Sequence, residues 1–492
     1  MPETWANSGT PRGAGPGERP PGTPRGVDLH LDLAGSRPRA GLEAALRTAV
    51  RSGRLPPGTR LPSSRSLAAD LGLARNTVAD AFAQLVAEGW LEARTGSGTW
   101  VAQHAAGAAG TARPPSEPGP GPRYDLRAGV PATSLFPRRA WLAASRAALQ
   151  AAGDGVLGYP DPRGLPVLRA ALSEYLARAR GVVADPDNVL ICAGFSGGLA
   201  LITRLLTART GRTSVAVEAC GHELHKKIIA AQGASAVPLP VDFLGADPAP
   251  LARPGTARGS AARASAVVLT PAHQFPLGMT LAPARRAAFA RWAARSGGLI
   301  IEDDYDGEYR FDRQPVGALQ ALAPEHVVYA GTASKSLAPG LRLGWLVAPG
   351  SIAGDLAQAQ ELAGSAPGVL EQLTLARLLE TGGYDRQIRQ SRLAYRRRRD
   401  RLITALRRQA PQVRLTGIAA GLHAVAELPA GQTEAEVVAR ARRHGVAVQG
   451  LTSYTVPGYE HGPALVIGFG NPAEHAFTTA VARLCAALSE TG

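Results

Sequence analysis

The chain has 492 residues, a formal net charge of +15 and a sequence pI near 10.5. That length suits two or three domains, no apolar run approaches the ~20 residues needed to cross a bilayer, and no hydrophobic N-terminal stretch marks secretion. The three cysteines (Cys192, Cys220 and Cys485) follow neither a metal-ligand spacing nor a disulfide framework, so a reducing cytoplasm is expected and a metal is not.

Composition divides the chain. Residues 1–35 are rich in Pro and Gly, show no period and read as a disordered tail. Residues 36–102 have a compact helical pattern, and 103–123 lack apolar periodicity and read as a linker. From 124 to 492, short apolar strands alternate with longer helical stretches, which predicts a mainly parallel sheet covered by helices.

In the first segment the apolar spacing predicts a helix from about Ala40 to Ser52, broken by Leu55-Pro56-Pro57-Gly58. Ser63 or Ser64 caps a second helix, and Gly72-Leu73-Ala74 makes a tight turn into a third, Arg75 to Glu88. Two short strands, Trp90–Ala93 and Gly98–Val101, flank a hairpin tip at Arg94–Ser97. Helix, turn, helix and β-wing make a winged helix-turn-helix. From Leu55 to Val101 the segment resembles the GntR-type DNA-binding domain. The resemblance implies that the third helix enters the major groove of a double-stranded operator and that the wing touches the backbone. By position it makes Arg65, Arg75 and Thr77 the contact candidates, with Arg60 near the phosphates. Ala74 stands where a capping Ser or Thr is common, so Asn76 or the backbone must substitute. Gly96 and Gly98 would let the wing approach DNA closely. The excess of basic residues agrees with a polyanionic partner.

In the second segment, strands are predicted at Asn188–Cys192, Ser214–Glu218, Ala266–Thr270 and Gly298–Glu302. Lysine occurs only at 226, 227 and 335, although Lys and Arg together number 54. A lysine kept in Thr332-Ala333-Ser334-Lys335-Ser336 calls for chemistry that arginine cannot do, and imine formation is such chemistry. Pyridoxal phosphate is the obvious aldehyde. It needs an amine, a carboxylate for its pyridine nitrogen, a stacking partner, a donor for its phenolic oxygen and a phosphate cup. Lys335 offers the amine. Asp303, at the end of the strand running into Ile300-Ile301-Glu302-Asp303-Asp304-Tyr305, offers the carboxylate, and Tyr305 the donor. His222 offers the stacking ring. Gly194, Phe195 and Ser196 open a helix whose amides can hold phosphate, with Arg342 and the Thr332 hydroxyl beside them.

This segment resembles fold-type I aminotransferases. Gly158-Tyr159-Pro160-Asp161-Pro162-Arg163-Gly164 matches their N-terminal signature and implies that Tyr159 reaches the cofactor phosphate of a partner subunit. His273-Gln274-Phe275-Pro276-Leu277-Gly278 stands in place of the Asn-Pro-x-Gly loop, which makes His273 or Gln274 a candidate near the phenolic oxygen. Val466 stands where aminotransferases carry the Arg that holds the substrate carboxylate. The two segments together resemble the MocR/GabR subfamily of GntR regulators, including PdxR-type members. The resemblance implies a cytoplasmic, homodimeric transcriptional regulator whose aminotransferase-like domain, with a smaller C-terminal α+β lobe, senses pyridoxal phosphate or a small amine or amino acid through Lys335. The alternative is a working aminotransferase that carries a DNA-binding head.

Overall fold

The computed structural model describes residues 38–103, 122–211, 213–252, 261–311 and 316–490. The tail expected over 1–35 and positions 104–121 of the expected linker lie outside the described residues. The chain forms two compact units, Met1–Gly119 and Pro120–Gly492.

In the first unit, α1 (Pro38–Arg51) buries Leu42, Leu46, Ala49 and Val50, spaced to fall on one helical face. The second helix, α2 (Ser64–Leu71), starts under Ser63, whose hydroxyl accepts from Ser66 N at 3.1 Å, and stops at Gly72 in the left-handed region. The third helix, α3 (Arg75–Ala87), buries Val78, Ala81, Phe82 and Leu85 against the other two. Its N-cap is Ala74, which supplies no side-chain bond. Strands β1 (Leu91–Arg94) and β2 (Gly98–Val101) pair antiparallel, with Leu91 opposite Val101, and form the wing.

In the second unit, α4 (Pro166–Arg180) precedes β3 (Val189–Cys192), α5 (Gly194–Thr210), β4 (Ser214–Glu218), α6 (Glu223–Ala231) and β5 (Ser235–Leu239). Strand β6 (Ala266–Leu269), α7 (Pro283–Ser296), β7 (Leu299–Asp303), β8 (Val327–Thr332) and β9 (Gly344–Val347) complete a seven-stranded sheet in the order β3-β9-β8-β7-β6-β4-β5. Every residue of β3, β6, β7, β8 and β9 is buried, because helices cover both faces and continuous apolar runs therefore replace alternation. Six strands run parallel, while β9 is antiparallel to both neighbours. Parallel neighbours need a crossover of about a dozen or more residues, usually helical. The β8–β9 connection is a short loop, and it carries Lys335 and Arg342. Gly198 lets α5 press onto β9, since a Cβ there would lie 2.8 Å from Leu346 Cδ2.

The 27-residue α8 (Gly383–Gln409) leads into a smaller lobe. There β10 (Arg414–Thr416), β11 (His423–Glu427), β12 (Gln449–Gly450) and β13 (Ala464–Gly468) pair antiparallel in the order β10-β11-β13-β12. The lobe also holds α9 (Glu434–Arg443) and α10 (Glu474–Ser489). No helix among the described residues is long and apolar enough to cross a membrane.

Candidate functional site

The carboxyl ends of β3, β4, β7 and β8 surround a cavity of about 240 Å³. Ligands of open α/β sheets sit at this edge because helix N-termini and loop side chains converge there. Lys335, Asp303, Tyr305, Arg342, Thr332, His222 and residues 194–196 all line it.

Asp303 ends β7 and is 6% exposed. Its Oδ1 has no hydrogen-bond partner among the described residues, and its Oδ2 lies 3.8 Å from His225 Nε2. Burial first, then the neighbouring carboxylates, raises its pKa well above the ordinary carboxylate range, while Lys335 pulls the other way. Asp304 points to the opposite side of the strand, as a period of two requires. There it pairs with Arg180 at 2.7 Å and accepts from Tyr329 at 2.7 Å. Of the two adjacent aspartates, only Asp303 lines the cavity.

Lys335 Nζ donates to Gly129 O at 2.6 Å. Burial lowers its pKa, partly opposed by Asp303 and Asp306. A lysine desolvated in this way holds more of its amine neutral, the form that attacks a carbonyl. Arg342 has φ 53°, the one non-glycine residue at positive φ among those described. Strain of this kind, of order 1–3 kcal/mol, persists where the surroundings impose it. Its Nη2 donates to Ala193 O at 2.6 Å, just before the first turn of α5. A Cβ on Gly194 would sit 3.7 Å from the Arg342 guanidinium, and one on Gly344 only 2.7 Å from Gly194 Cα. Glycine at both positions brings arginine and helix amides to one spot, which suits a phosphate dianion.

His222 caps α6 by accepting from Leu224 N at 3.2 Å, and its ring stacks on His225 (5.3 Å, 20°) and Phe275 (5.6 Å, 27°). Burial and Lys335 lower its pKa, and burial drives His225 down to about 3, so both rings are neutral at pH 7. The Thr332 hydroxyl is spent on its own loop: it donates towards Ser334 Oγ (2.9 Å) and Leu343 O (3.2 Å) and accepts from Ser334 N (3.1 Å).

Three expected residues lie outside the lining. Gln274 is buried, and its amide is spent on Cys220 O and Phe275 O, both at 2.7 Å. His273 sits behind Tyr305, with its Nδ1 3.1 Å from the Tyr305 hydroxyl, so it touches the cavity only through that tyrosine. Tyr159 is fully exposed on a loop. The side where Val466 stands is apolar: Val466 in β13 is buried with Cys220, Phe275, Val425 and Tyr454. Glu218, Phe275, Ser334, Lys226 and His225 also line the cavity and were not expected. Glu218 accepts from Thr270 Oγ1 at 2.6 Å, and burial raises its pKa to about 7. Ser334 had a signal in its place beside Lys335, Lys226 in being one of three lysines, and Glu218 in ending a predicted strand.

The donor set fits pyridoxal phosphate. An orphaned carboxylate oxygen, a desolvated amine, a histidine ring and an arginine beside helix amides meet around one cavity.

In the first unit, Arg65, Arg75 and Asn76 are exposed and Thr77 is half-buried. Arg60 lies over the Trp100 ring at 5.8 Å, beside Gly98 of the wing. Gly96 and Gly98 both have positive φ.

Residues 38–101 match the family model of bacterial regulatory proteins, gntR family, and residues 125–462 match that of aminotransferase class I and II. The fold and these matches define a GntR-type helix-turn-helix joined to a fold-type I aminotransferase domain. The HTH-type pyridoxine biosynthesis transcriptional regulator PdxR of Corynebacterium glutamicum is 32% identical over 91% of this chain and 95% of its own length. The probable rhizopine catabolism regulatory protein MocR of Rhizobium meliloti is 32% identical over 74% of this chain and 76% of its own. An archaeal alanine:glyoxylate aminotransferase matches 74% of the chain and 90% of its own at a TM-score of 0.66 and 25% identity. The chain belongs to the MocR-type GntR transcriptional regulators.

Proposed function

We propose that residues 36–102 bind an operator, that 124–492 form the sensor domain, and that the sensor holds pyridoxal phosphate at Lys335. The observation that carries this reading is the meeting of Lys335, Asp303, Arg342 and the α5 N-terminus around one cavity. Asp303 would hold the pyridine nitrogen protonated, and its own carboxylate would thereby gain the cation it lacks. Arg342 and the amides of Gly194, Phe195 and Ser196 would take the phosphate. His222 would stack on the ring, and Tyr305 would donate its proton to the phenolic oxygen. Bound pyridoxal phosphate supplies an aldehyde carbon to which a neutral lysine amine adds with loss of water. The apolar side chains packed around Val466 contribute no charge that would hold an amino-acid carboxylate. They favour pyridoxal phosphate itself, or a small amine, as the signal. The signal changes operator affinity only if it binds one conformation of the regulator better than another. Exposed Tyr159 suits a homodimer in which each subunit reaches its partner's cofactor, in the cytoplasm where the operator lies.

The test is a visible spectrum of the full chain mixed with pyridoxal phosphate, beside operator binding at fixed salt. The wild type should colour, borohydride should fix the cofactor on the Lys335 peptide, and Lys335→Ala should stay colourless while keeping basal operator binding. Colourless wild-type protein with nothing trapped overturns the reading. Single-turnover loss of the band with common amino acids would instead make the chain a working aminotransferase.

A further inference from the structure

The wing carries a tryptophan that core packing does not account for. Trp90 packs against the core of the first unit, whereas Trp100 in β2 is half-buried and lies outside that core. Trp100 Nε1 is buried with no hydrogen-bond partner among the described residues, so the ring is not placed there to donate. What its neighbours use is the π face. The Arg94 guanidinium lies over the ring at 5.1 Å from the centroid, and that of Arg60 at 5.8 Å. Both fall within the roughly 6 Å over which an aromatic quadrupole holds a cation, and tryptophan is the strongest such partner.

Strand register puts these groups together. Trp100 stands opposite Glu92 of β1 and, on its other side, bridges to Arg60, while Arg94 stands opposite Gly98. Residues directly opposite share a face of a sheet, and so do alternate residues along a strand. Arg60, Trp100, Glu92, Gly98 and Arg94 therefore lie on one face of the wing. Gly98 keeps the middle of that face bare: its φ is 100°, and a Cβ there would stand 3.4 Å from Arg60 Nε. Arg60 and Gly98 also line, with Ser63, Ser64 and Ala79, a cleft of about 380 Å³ between the wing and helices α2 and α3. Glu92 pairs with Arg94 at 3.3 Å, with both side chains nearly half exposed. An exposed pair of that kind is worth little and yields to a competing anion.

We propose that Trp100 is a positioning residue that holds Arg60 and Arg94 as a pair of cations for the phosphate backbone of double-stranded DNA, with Gly98 leaving room for the backbone to approach between them. The proposal rests on the reading of residues 36–102 as a DNA-binding unit, and it adds Arg94 and Trp100 to the residues that serve the phosphates. A free arginine gives up rotamers when it meets a phosphate. An arginine stacked on an indole has given them up beforehand, so less binding energy is lost to ordering. Phosphates carry no base identity, so the contribution is the same on any DNA sequence.

The experiment is binding of the full chain to a DNA duplex of arbitrary sequence over a series of salt concentrations, beside a thermal melt of each variant. Arg60→Ala and Arg94→Ala should each flatten the salt slope by about one unit. Trp100→Leu keeps both charges and should weaken binding at fixed salt by about tenfold, the ordering entropy of two side chains. Trp100→Phe keeps an aromatic face without the orphaned N–H and should recover most of that loss. Where both arginines are already alanine, Trp100→Leu should cost nothing further. Should Trp100→Leu not fold, Trp100→Thr, a strand former without a π face, takes its place and should lose as much. A leucine or threonine variant that binds like the wild type, or a slope unmoved by Arg94→Ala, overturns the proposal. So does a loss that persists without the two arginines, which would make Trp100 a packing residue only. A wild type that binds no duplex at the lowest salt overturns the DNA-binding reading itself, and this proposal with it.

Discussion

Asp303 is costly to the protein without a cofactor. Its carboxylate is buried, one oxygen has no partner, and the nearest cation, Lys335, is itself pushed towards neutrality by burial. Removing the charge should therefore stabilise the empty protein while weakening the cofactor complex. Asp303→Asn should raise the stability of the cofactor-free chain at pH 7 by about 1–3 kcal/mol, the scale of a buried polar group left unpaired. The pH dependence has a definite sign. The folded pKa of Asp303 lies above its unfolded value, so the folded state holds a proton that the unfolded state has already lost. The wild type then loses stability as pH rises from about 4 towards that folded pKa. The gap between variant and wild type should open over the same range, and thermal melts at stepped pH would show it. Cofactor affinity should move the opposite way, falling by about 2–5 kcal/mol when one partner of a buried charge pair is truncated. A variant less stable than the wild type at every pH would show that burial is not the dominant influence on Asp303.

The β8–β9 connection and α3 show how local sequence sets element behaviour. The connection brings Lys335 and Arg342 to one cavity by reversing chain direction, which makes β9 antiparallel and holds Arg342 at positive φ. The Lys-x6-Arg spacing was readable from the sequence, but the positive φ of Arg342 and the close approach of Gly344 to Gly194 across β9 and α5 were not, because both depend on tertiary contacts. Helix α3 lacks a side-chain cap at Ala74, whereas α2 has Ser63. Ala74→Ser should supply the missing acceptor for an orphan amide and stabilise α3 by about 0.5–2 kcal/mol. Hydrogen exchange of the first-turn amides of α3 should slow by the matching factor, with the amides of α1 as an internal reference. Equal exchange in variant and wild type would mean that the backbone already satisfies that turn.

For the whole molecule, a net charge of +15 and a winged helix-turn-helix make operator affinity depend on salt. The logarithm of the binding constant should fall linearly with the logarithm of salt concentration, and each lost phosphate contact should flatten the slope by about one unit. Arg75→Ala should cost roughly 1–3 kcal/mol and relax specificity at one operator position if Arg75 reads a base. If Arg75 touches only phosphate, the loss will be uniform across operator sequences and the slope will flatten instead. Binding curves at several salt concentrations separate the two outcomes. A homodimer further predicts two half-sites in the operator.

What could be read before folding was whatever neighbours along the chain supply: the helix-turn-helix order, the wing glycines, the isolated Lys335 and its spacing to Arg342, and the strand that ends at Asp303. Strand order decided the rest, because it brings the ends of β4, β6 and β7 to one cavity from positions far apart in sequence. His225, Glu218 and Phe275 became part of the site in that way. Pairing of polar groups through space removed Gln274 from the cavity and put His273 behind Tyr305, since a buried donor must satisfy its bonds wherever the fold offers a partner.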